Sequence, residues 1–136
     1  MVDLSAAQHT GRELELMLAG KKPLALFYDD ADLAPDPAII PEQSFAPHVA
    51  SGAMVKEEAI LEISDPMLGQ PARVRYVLYA VKGEEWRIPA VLLAIRTRMK
   101  VNAMADEGLE RLVCALLGYD DDQTAACLEA HVLERC

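Results

Sequence analysis

The sequence predicts an α+β fold in which a small, at least partly antiparallel three-stranded sheet packs with about four helices, the last three of them consecutive at the C-terminal end. Apolar residues recur at helical spacing near both ends of the chain, whereas two central stretches are strand-like in composition. Aromatic residues make up 5% of the chain and hydrophobic residues 52%, so a mainly aliphatic core is expected. A chain of 136 residues with this hydrophobicity is expected to form one compact domain over residues 1–136.

The first element is a helix predicted at about 6–19. Thr10 and Glu13 have the spacing of a capping box, in which the two side chains bond amide groups at the start of a helix. Gly20 suits the left-handed conformation that often ends a helix. Lys22 follows where a positive charge favours the negative helix end. These signals predict that the helix ends just before Gly20.

Three stretches predict the strands. Residues 23–28 are apolar on both faces, which is typical of a central strand covered on both sides. Residues 54–63 alternate apolar and charged side chains, and residues 72–81 are rich in β-branched and aromatic residues, so these two are expected to pair as a hairpin. Residues 29–53 hold four prolines and show no sustained period. We expect an irregular Pro- and Asp-rich segment there, and long connections of this kind are more often functional than idle.

Two helices with apolar stripes are predicted after the hairpin. Pro89 is acceptable in the first turn of the earlier one, where its missing N–H loses no hydrogen bond. Asp106 is expected to cap the later one, which ends at Gly118. The expected inward-facing residues are Ile88, Val91, Leu92, Ile95 and Met99, then Leu109, Leu112, Val113, Leu116 and Leu117.

A last helix is predicted over 121–134. Asp120 and Gln123 have capping-box spacing at its start. The link from Gly118 to Asp120 is short, so the last two helices are expected to be antiparallel neighbours.

The charge of the chain is uneven. Asp and Glu number 22 against 13 Lys and Arg, a formal net charge of −9. Residues 29–65 carry −8 and residues 106–136 carry −6, whereas residues 66–105 carry +5. The overall acidity argues against a nucleic-acid or anionic-membrane binder, since both of those surfaces reward clustered Lys and Arg.

The basic segment 73–100 is interpreted as internal neutralisation of the acidic parts. Arg73 or Arg75 is expected to face Glu58 or Glu62 across the hairpin. The competing interpretation is that Arg73, Arg75 and Tyr79, on one face of the third strand, contact phosphates or stack on bases.

The composition also indicates the cellular compartment in which the protein is expected. The longest unbroken apolar stretch, residues 88–95, is far short of the about 20 residues that a membrane span needs. The three cysteines, Cys114, Cys127 and Cys136, are an odd number and do not suit a disulfide framework. We therefore expect a cytoplasmic protein with free thiols and no membrane association.

Asp29, Asp30 and Asp32 follow the first apolar strand, at the end of a strand where open sheets often present ligand or metal sites. Carboxylates are the hard oxygen ligands that Mg²⁺ and Ca²⁺ take. The Asp30-x-Asp32 spacing after a hydrophobic strand resembles the nucleophile motif of haloacid-dehalogenase-like phosphohydrolases, although the chain lacks the alternating strand and helix units of that fold. The resemblance implies metal-dependent phosphate hydrolysis, and a solvated loop is the competing interpretation.

Other candidate residues have structural interpretations. Cys127 and His131 lie one helical turn apart, but a closed zinc site needs four ligands, so core thiols are preferred. His48 is interpreted as a capping or loop-packing residue, because no partner for a general base is evident. Trp86 is interpreted as an anchor at the edge of the core, with an exposed interface position as the alternative.

These observations favour a non-enzymatic protein-interaction module, such as an immunity protein or a mobile-element inhibitor, that binds a basic surface on a partner protein. The alternatives are a metal-dependent hydrolase or ligand-binding protein that uses Asp29, Asp30 and Asp32, and a homo-oligomeric structural protein. No catalytic residue and no cofactor is predicted. The candidate partner-binding residues are Asp29, Asp30, Asp32, Asp36, Glu42, Glu57, Glu58 and Trp86.

Overall fold

A computed structural model describes residues 11–63, 71–100 and 107–125. Its elements are α1 (Glu13–Leu18), β1 (Leu24–Asp30), α2 (Glu42–Ala50), β2 (Met54–Ile63), β3 (Ala72–Val81), α3 (Arg87–Lys100) and α4 (Glu107–Leu116). Residues 121–125 form a further short helix, α5. The α+β class and the three-stranded antiparallel sheet are confirmed, and the described ranges contain five helices rather than about four.

The sheet has β3 at its centre, in the order β1-β3-β2. β2 and β3 pair antiparallel along their full lengths, so the predicted hairpin of residues 54–63 and 72–81 is confirmed. β1 also pairs antiparallel with β3, from Leu24 opposite Ala80 to Asp30 opposite Val74. All side chains on one sheet face are therefore contributed by alternate residues of these three strands.

The prediction that the first strand is central is wrong, because β1 lies at an edge. Its apolar character has a different cause. Leu24 belongs to a buried cluster on one face of the sheet and Ala25 to a second cluster on the other face. Helices cover both faces of the sheet, and an edge strand between two helical layers is apolar on both sides just as a central strand is.

Each face of the sheet has its own pair of helices. On one side, which we call the α3/α4 face, Val91 of α3 and Leu116 of α4 pack against Leu78 of β3. On the other, the α1/α2 face, Met17 of α1 and Phe45 of α2 belong to the second buried cluster. The core residues on the α1/α2 face are Met17, Ala25, Phe27, Ile40, Phe45, Met54, Val77 and Tyr79.

Part of the segment expected to be irregular forms α2. Pro47 lies inside this helix, where it lacks the N–H of an ordinary helical residue. Phe45, on the same helix, is fully buried against the α1/α2 face. Burial of an apolar face is the main source of helix stability in proteins, and here it outweighs the local cost of proline. The irregular parts of the connection are residues 31–41 and the short turn at 51–53.

The helix ends are largely as predicted. Gly20 and Gly118 both have positive φ, +74° and +89°, after α1 and α4. The capping box of Asp120 and Gln123 forms, with N···O distances of 2.7 and 2.9 Å. At α1 no side chain caps the start of the helix, and Thr10 and Asp106, the two other predicted caps, lie outside the described residues.

The apolar stripe of α3 is confirmed for Ile88, Val91, Leu92 and Ile95, all buried. In α4 the predicted stripe is wrong in one position, because Leu112 is 47% exposed whereas Cys114 is buried. The helix is rotated relative to the predicted stripe.

Candidate functional site

Arg75 binds carboxylates on the α1/α2 face at one end of the sheet. It lies opposite Asp29 in the β1–β3 pairing. Nε and Nη2 donate to the two oxygens of Asp29 at 3.1 and 3.2 Å, and Nη1 donates to Glu58 at 3.1 Å. The Arg75 and Asp29 side chains are only 16% and 7% exposed. The hydrogen bonds that the Arg75 guanidinium donates to Asp29 are the main cause that raises its pKa above the ordinary value.

Lys56 extends this group of charges to α2. Its Nζ lies 2.6 Å from Glu42, in the first turn of α2, and 3.9 Å from Glu58 on its own strand. Glu42 also approaches Arg75, at 3.6 Å. We call these five residues, Asp29, Glu42, Lys56, Glu58 and Arg75, the Arg75 cluster. The cluster joins α2 to all three strands and carries three negative and two positive charges.

The Arg75 cluster confirms a predicted contact across the hairpin and contains three of the predicted partner-binding residues. Arg75 does face Glu58 across the hairpin, as expected for internal neutralisation of the basic segment. Asp29, Glu42 and Glu58, predicted as partner-binding residues, are here held by cations of the same chain.

The end of β1 and the loop 31–41 that follows it carry further carboxylates. Asp32 forms a 2.9 Å ion pair with Arg73. Asp30 accepts a hydrogen bond from the backbone N–H of Asp32, and Asp36 accepts one from that of Ala38. Neither Asp30 nor Asp36 forms an ion pair within the described parts of the chain, and both are exposed. Their negative charges are therefore presented to solvent.

Two aliphatic side chains of the same loop are also exposed, Leu33 by 69% and Ile39 by 49%. Ile39 borders a cleft of about 560 Å³ between α1 and α2, whose lining includes Leu14 and Phe45. We call Asp30, Asp32, Leu33, Asp36 and Ile39 the loop surface. It combines exposed apolar and acidic side chains beside a cleft.

The three predicted metal ligands, Asp29, Asp30 and Asp32, each bind a different group of the protein. Asp29 binds Arg75, Asp32 binds Arg73, and Asp30 accepts a backbone N–H. Asp29 and Asp30 are adjacent in a strand, so their side chains point to opposite faces of the sheet. In the described residues no group of three or more His, Cys, Asp or Glu is arranged to hold a metal ion.

The two remaining candidates are separate from the loop surface. Glu57 is exposed on β2, opposite Leu78. Trp86 follows β3 and lies at the far end of the sheet from Asp30. Its side chain is 57% exposed. Its Nε1 donates to Glu84 at 3.0 Å, and the guanidinium of Arg87 lies 4.7 Å from the ring centroid. The interpretation of Trp86 as a core-edge anchor is therefore wrong, because polar partners hold the indole at the surface.

The predicted core thiol is found at Cys114, which is buried as a thiol rather than in a disulfide. Burial raises the pKa of this thiol. Cys127, Cys136 and His131 lie outside the described residues. His48 lies on α2, where its backbone carbonyl accepts a hydrogen bond from Ser51.

Lys22 is a buried charge that the sequence did not indicate. The sequence predicts that Lys22 stabilises the C-terminal end of α1. Instead its Nζ donates a hydrogen bond of 2.8 Å to the carbonyl of Leu117, just after α4. The ring of Tyr119 lies 5.1 Å from Nζ. Burial lowers the pKa of Lys22 to about 8, partly opposed by Glu13 and Cys114. No local pattern reveals this contact, because its two residues are 95 positions apart.

Tyr79, predicted to share a strand face with Arg73 and Arg75, is buried on the α1/α2 face rather than exposed for stacking on a base. Its ring stacks on Phe45 with centroids 4.1 Å apart and meets Phe27 edge-on at 6.2 Å. The residue also lines a pocket of about 440 Å³ beside α2 and β2. Burial raises the pKa of its hydroxyl to about 12, helped by Glu42 and Glu58.

Comparison of the chain with protein-family models, with curated proteins and with solved structures finds no match. Across the described ranges, every helix is too short or too polar to cross a membrane.

Proposed function

We propose that this protein is a small acidic interaction module of the immunity or inhibitor type, which acts in the cytoplasm and binds a basic partner protein through the loop surface. The observation that carries the proposal is the exposure of Leu33 and Ile39 beside Asp30 and Asp36, two carboxylates with no ion pair in the described residues. Protein interfaces commonly combine apolar anchors with a polar rim. The loop surface offers both within one short segment.

The loop is held in place before any partner arrives. The side chains of Asp30 and Asp36 each close a tight turn by accepting a backbone N–H. Arg73 fastens the loop to β3, through its ion pair with Asp32 and through its carbonyl, which accepts the N–H of Ala31. A preformed loop loses little conformational entropy on binding, which favours affinity.

The neighbouring cleft supplies a place for an apolar side chain of the partner. Phe27 and Phe45 contribute to its lining, and Ile39 stands at its border. Charge complementarity around such an anchor acts mainly on association rate and partner choice, and it weakens with salt. We therefore expect a partner surface that places Lys or Arg around an apolar residue.

The test changes the charges and the apolar anchor separately. Asp30→Asn with Asp36→Asn removes two charges while keeping an oxygen that accepts the same backbone N–H. Leu33→Ser removes the more exposed of the two aliphatic side chains of the loop surface. Asp121→Asn with Asp122→Asn is the matched control, since both residues are exposed and lie outside the loop.

The partner is identified by cross-linking and mass spectrometry in the cells that make the protein, and its Kd for each purified variant is then measured at two salt concentrations. We expect Leu33→Ser to weaken binding by about fivefold or more. The Asp30/Asp36 variant should bind more weakly at low salt and lose its difference from the unmodified protein at high salt. Equal loss of binding in the Asp121/Asp122 control would contradict the proposal.

A homo-oligomeric structural protein is the second candidate. Leu93 on α3 is 66% exposed and Leu112 on α4 is 47% exposed, so the α3/α4 layer presents aliphatic side chains to solvent. Light scattering of the unmodified protein and of Leu93→Ser tests this candidate. A monomer in both cases at high concentration would exclude it.

A further inference from the structure

We propose that the pocket between α2 and β2 binds a small neutral molecule that has an apolar body and one acceptor oxygen, such as an amide, ketone or alcohol. We call it the α2–β2 pocket; its volume is about 440 Å³, and Tyr79, Lys56, Glu42 and the outer face of α2 line it. Small-molecule sites commonly have volumes of about 300–1,000 Å³, mostly apolar walls and a few polar groups. The site does not depend on the protein-interaction function proposed above.

The hydroxyl of Tyr79 is the observation that points to a ligand. Tyr79 is 1% exposed, yet in the described residues its hydroxyl forms no hydrogen bond. Buried polar groups are nearly always hydrogen-bonded, and an unsatisfied one is costly. The ring is fixed between Phe45 and Phe27, so the hydroxyl does not swing to another partner. An unused donor is therefore held at the pocket.

The charges around the hydroxyl define what it binds. Burial and the carboxylates of Glu42 and Glu58 keep it protonated, so it acts as a donor to an acceptor oxygen. The same carboxylates repel an anionic ligand. Lys56, which is 2.6 Å from Glu42, repels a cationic one. A neutral acceptor avoids both repulsions and leaves the ion pair between Lys56 and Glu42 intact.

The wall of the pocket defines the rest of the ligand. Ala46, Val49 and Ala50 follow one another at helical spacing along the same face of α2. Their short side chains leave space above Tyr79 and present only methyl groups. This wall suits an aromatic or branched aliphatic body of modest size.

The experiment compares four probes that share one ring: benzamide, toluene, benzoate and benzylamine. Binding to the full chain is followed by two-dimensional NMR of backbone amides at increasing probe concentration. We expect benzamide to shift the amides of α2 and of residues around Tyr79. Toluene should bind about fivefold more weakly, because it lacks one hydrogen bond. Benzoate and benzylamine should bind more weakly than benzamide.

Two variants locate the site. Tyr79→Phe should reduce benzamide binding to the level of toluene and leave toluene unchanged, without lowering Tm, because it removes a hydroxyl with no partner. Ala46→Leu fills the pocket and should abolish binding of both probes. Ala115→Leu, an exposed alanine on α4, is the matched control and should bind like the unmodified protein.

Four outcomes would overturn the proposal. They are no binding of any probe, binding of benzoate or benzylamine as tight as that of benzamide, unchanged benzamide binding in Tyr79→Phe, and a marked fall in Tm for Tyr79→Phe. The last would mean that the hydroxyl already has a partner in the free protein.

Discussion

Asp29 and Arg75 face each other across β1 and β3 and are joined by two parallel hydrogen bonds of 3.1 and 3.2 Å. This bidentate geometry is the strongest that an Arg and a carboxylate form. A second pair, Asp32 with Arg73, has one hydrogen bond of 2.9 Å and side chains that are 57% and 47% exposed. The same region of the protein thus offers two Asp–Arg pairs that differ in burial and in the number of hydrogen bonds.

We expect Asp29→Asn to lower the free energy of unfolding by about 2–3 kcal/mol, because it leaves a largely buried guanidinium short of its principal counter-charge. Asp32→Asn, which breaks the exposed pair and is the control, should change the free energy of unfolding by less than about 0.5 kcal/mol. Urea unfolding followed by circular dichroism measures both. Similar losses in the two variants would show that burial does not govern the strength of these pairs.

Gly118 ends α4 against the start of β1. Its φ is +89°, and a Cβ at this position would lie 2.5 Å from Cδ of Pro23. Gly20 has a similar φ of +74° but open space around it. We expect Gly20→Ala to cost about 1 kcal/mol of backbone strain and Gly118→Ala clearly more, since it adds a steric clash. Thermal unfolding of the two variants checks the order, and equal Tm values would contradict it.

Lys22 gives the protein a pH dependence at alkaline pH. Its pKa in the folded protein is about 8, against an ordinary value of 10.5. From pH 8 to 10 the unfolded chain therefore binds more protons than the folded one, and stability rises with pH. We expect this residue to add about 2 kcal/mol to the free energy of unfolding over that range. Urea unfolding at a series of pH values measures it.

The effect of Lys22 is isolated by comparing Cys114→Ala with Cys114→Ala/Lys22→Met. The thiol is removed in both proteins because its raised pKa acts in the opposite direction above pH 9. The series ends at pH 10, where deprotonation of tyrosine begins in the unfolded chain. Parallel stability curves for the two proteins would contradict a depressed pKa at Lys22.

Divalent cations should leave Tm unchanged. Asp29 and Asp32 are each bound by an arginine, so a metal ion at the predicted site would have only Asp30 as a carboxylate ligand unless it displaced an arginine. Ligands that bind the folded state raise Tm by mass action, and a thermal shift with millimolar Mg²⁺, Mn²⁺ or Ca²⁺ is therefore a direct test. A rise in Tm that Asp30→Asn abolishes would restore the metal hypothesis.

Local patterns in the sequence predict the elements of the fold well. The bounds of the hairpin strands, the glycines after α1 and α4 and the capping box at Asp120 all depend on neighbouring residues, and all are found. The place of β1 in the sheet and the helix α2 depend on what covers each segment. Those features are determined by tertiary packing, which short-range patterns do not contain.

The candidate site was predicted only in part. The acidic character of residues 29–42 is evident in the sequence, but which carboxylates are neutralised depends on strand register, and register selects Asp29 for Arg75. The sequence places Tyr79 on the strand face of Arg73 and Arg75 but does not indicate that its ring is buried against Phe45 of α2. Its unpartnered hydroxyl is evident only when α2 is placed over β2 and β3.

The strand order β1-β3-β2 has a consequence for the path of folding. β2 and β3 form a local hairpin, whereas β1 pairs with a strand far along the chain and Lys22 beside it reaches a carbonyl 95 residues away. Closing such long loops is entropically slow, so the hairpin with α3 is expected to form first and β1 to be added late. Ala25→Gly in β1 should then speed unfolding in stopped-flow experiments while leaving the refolding rate nearly unchanged.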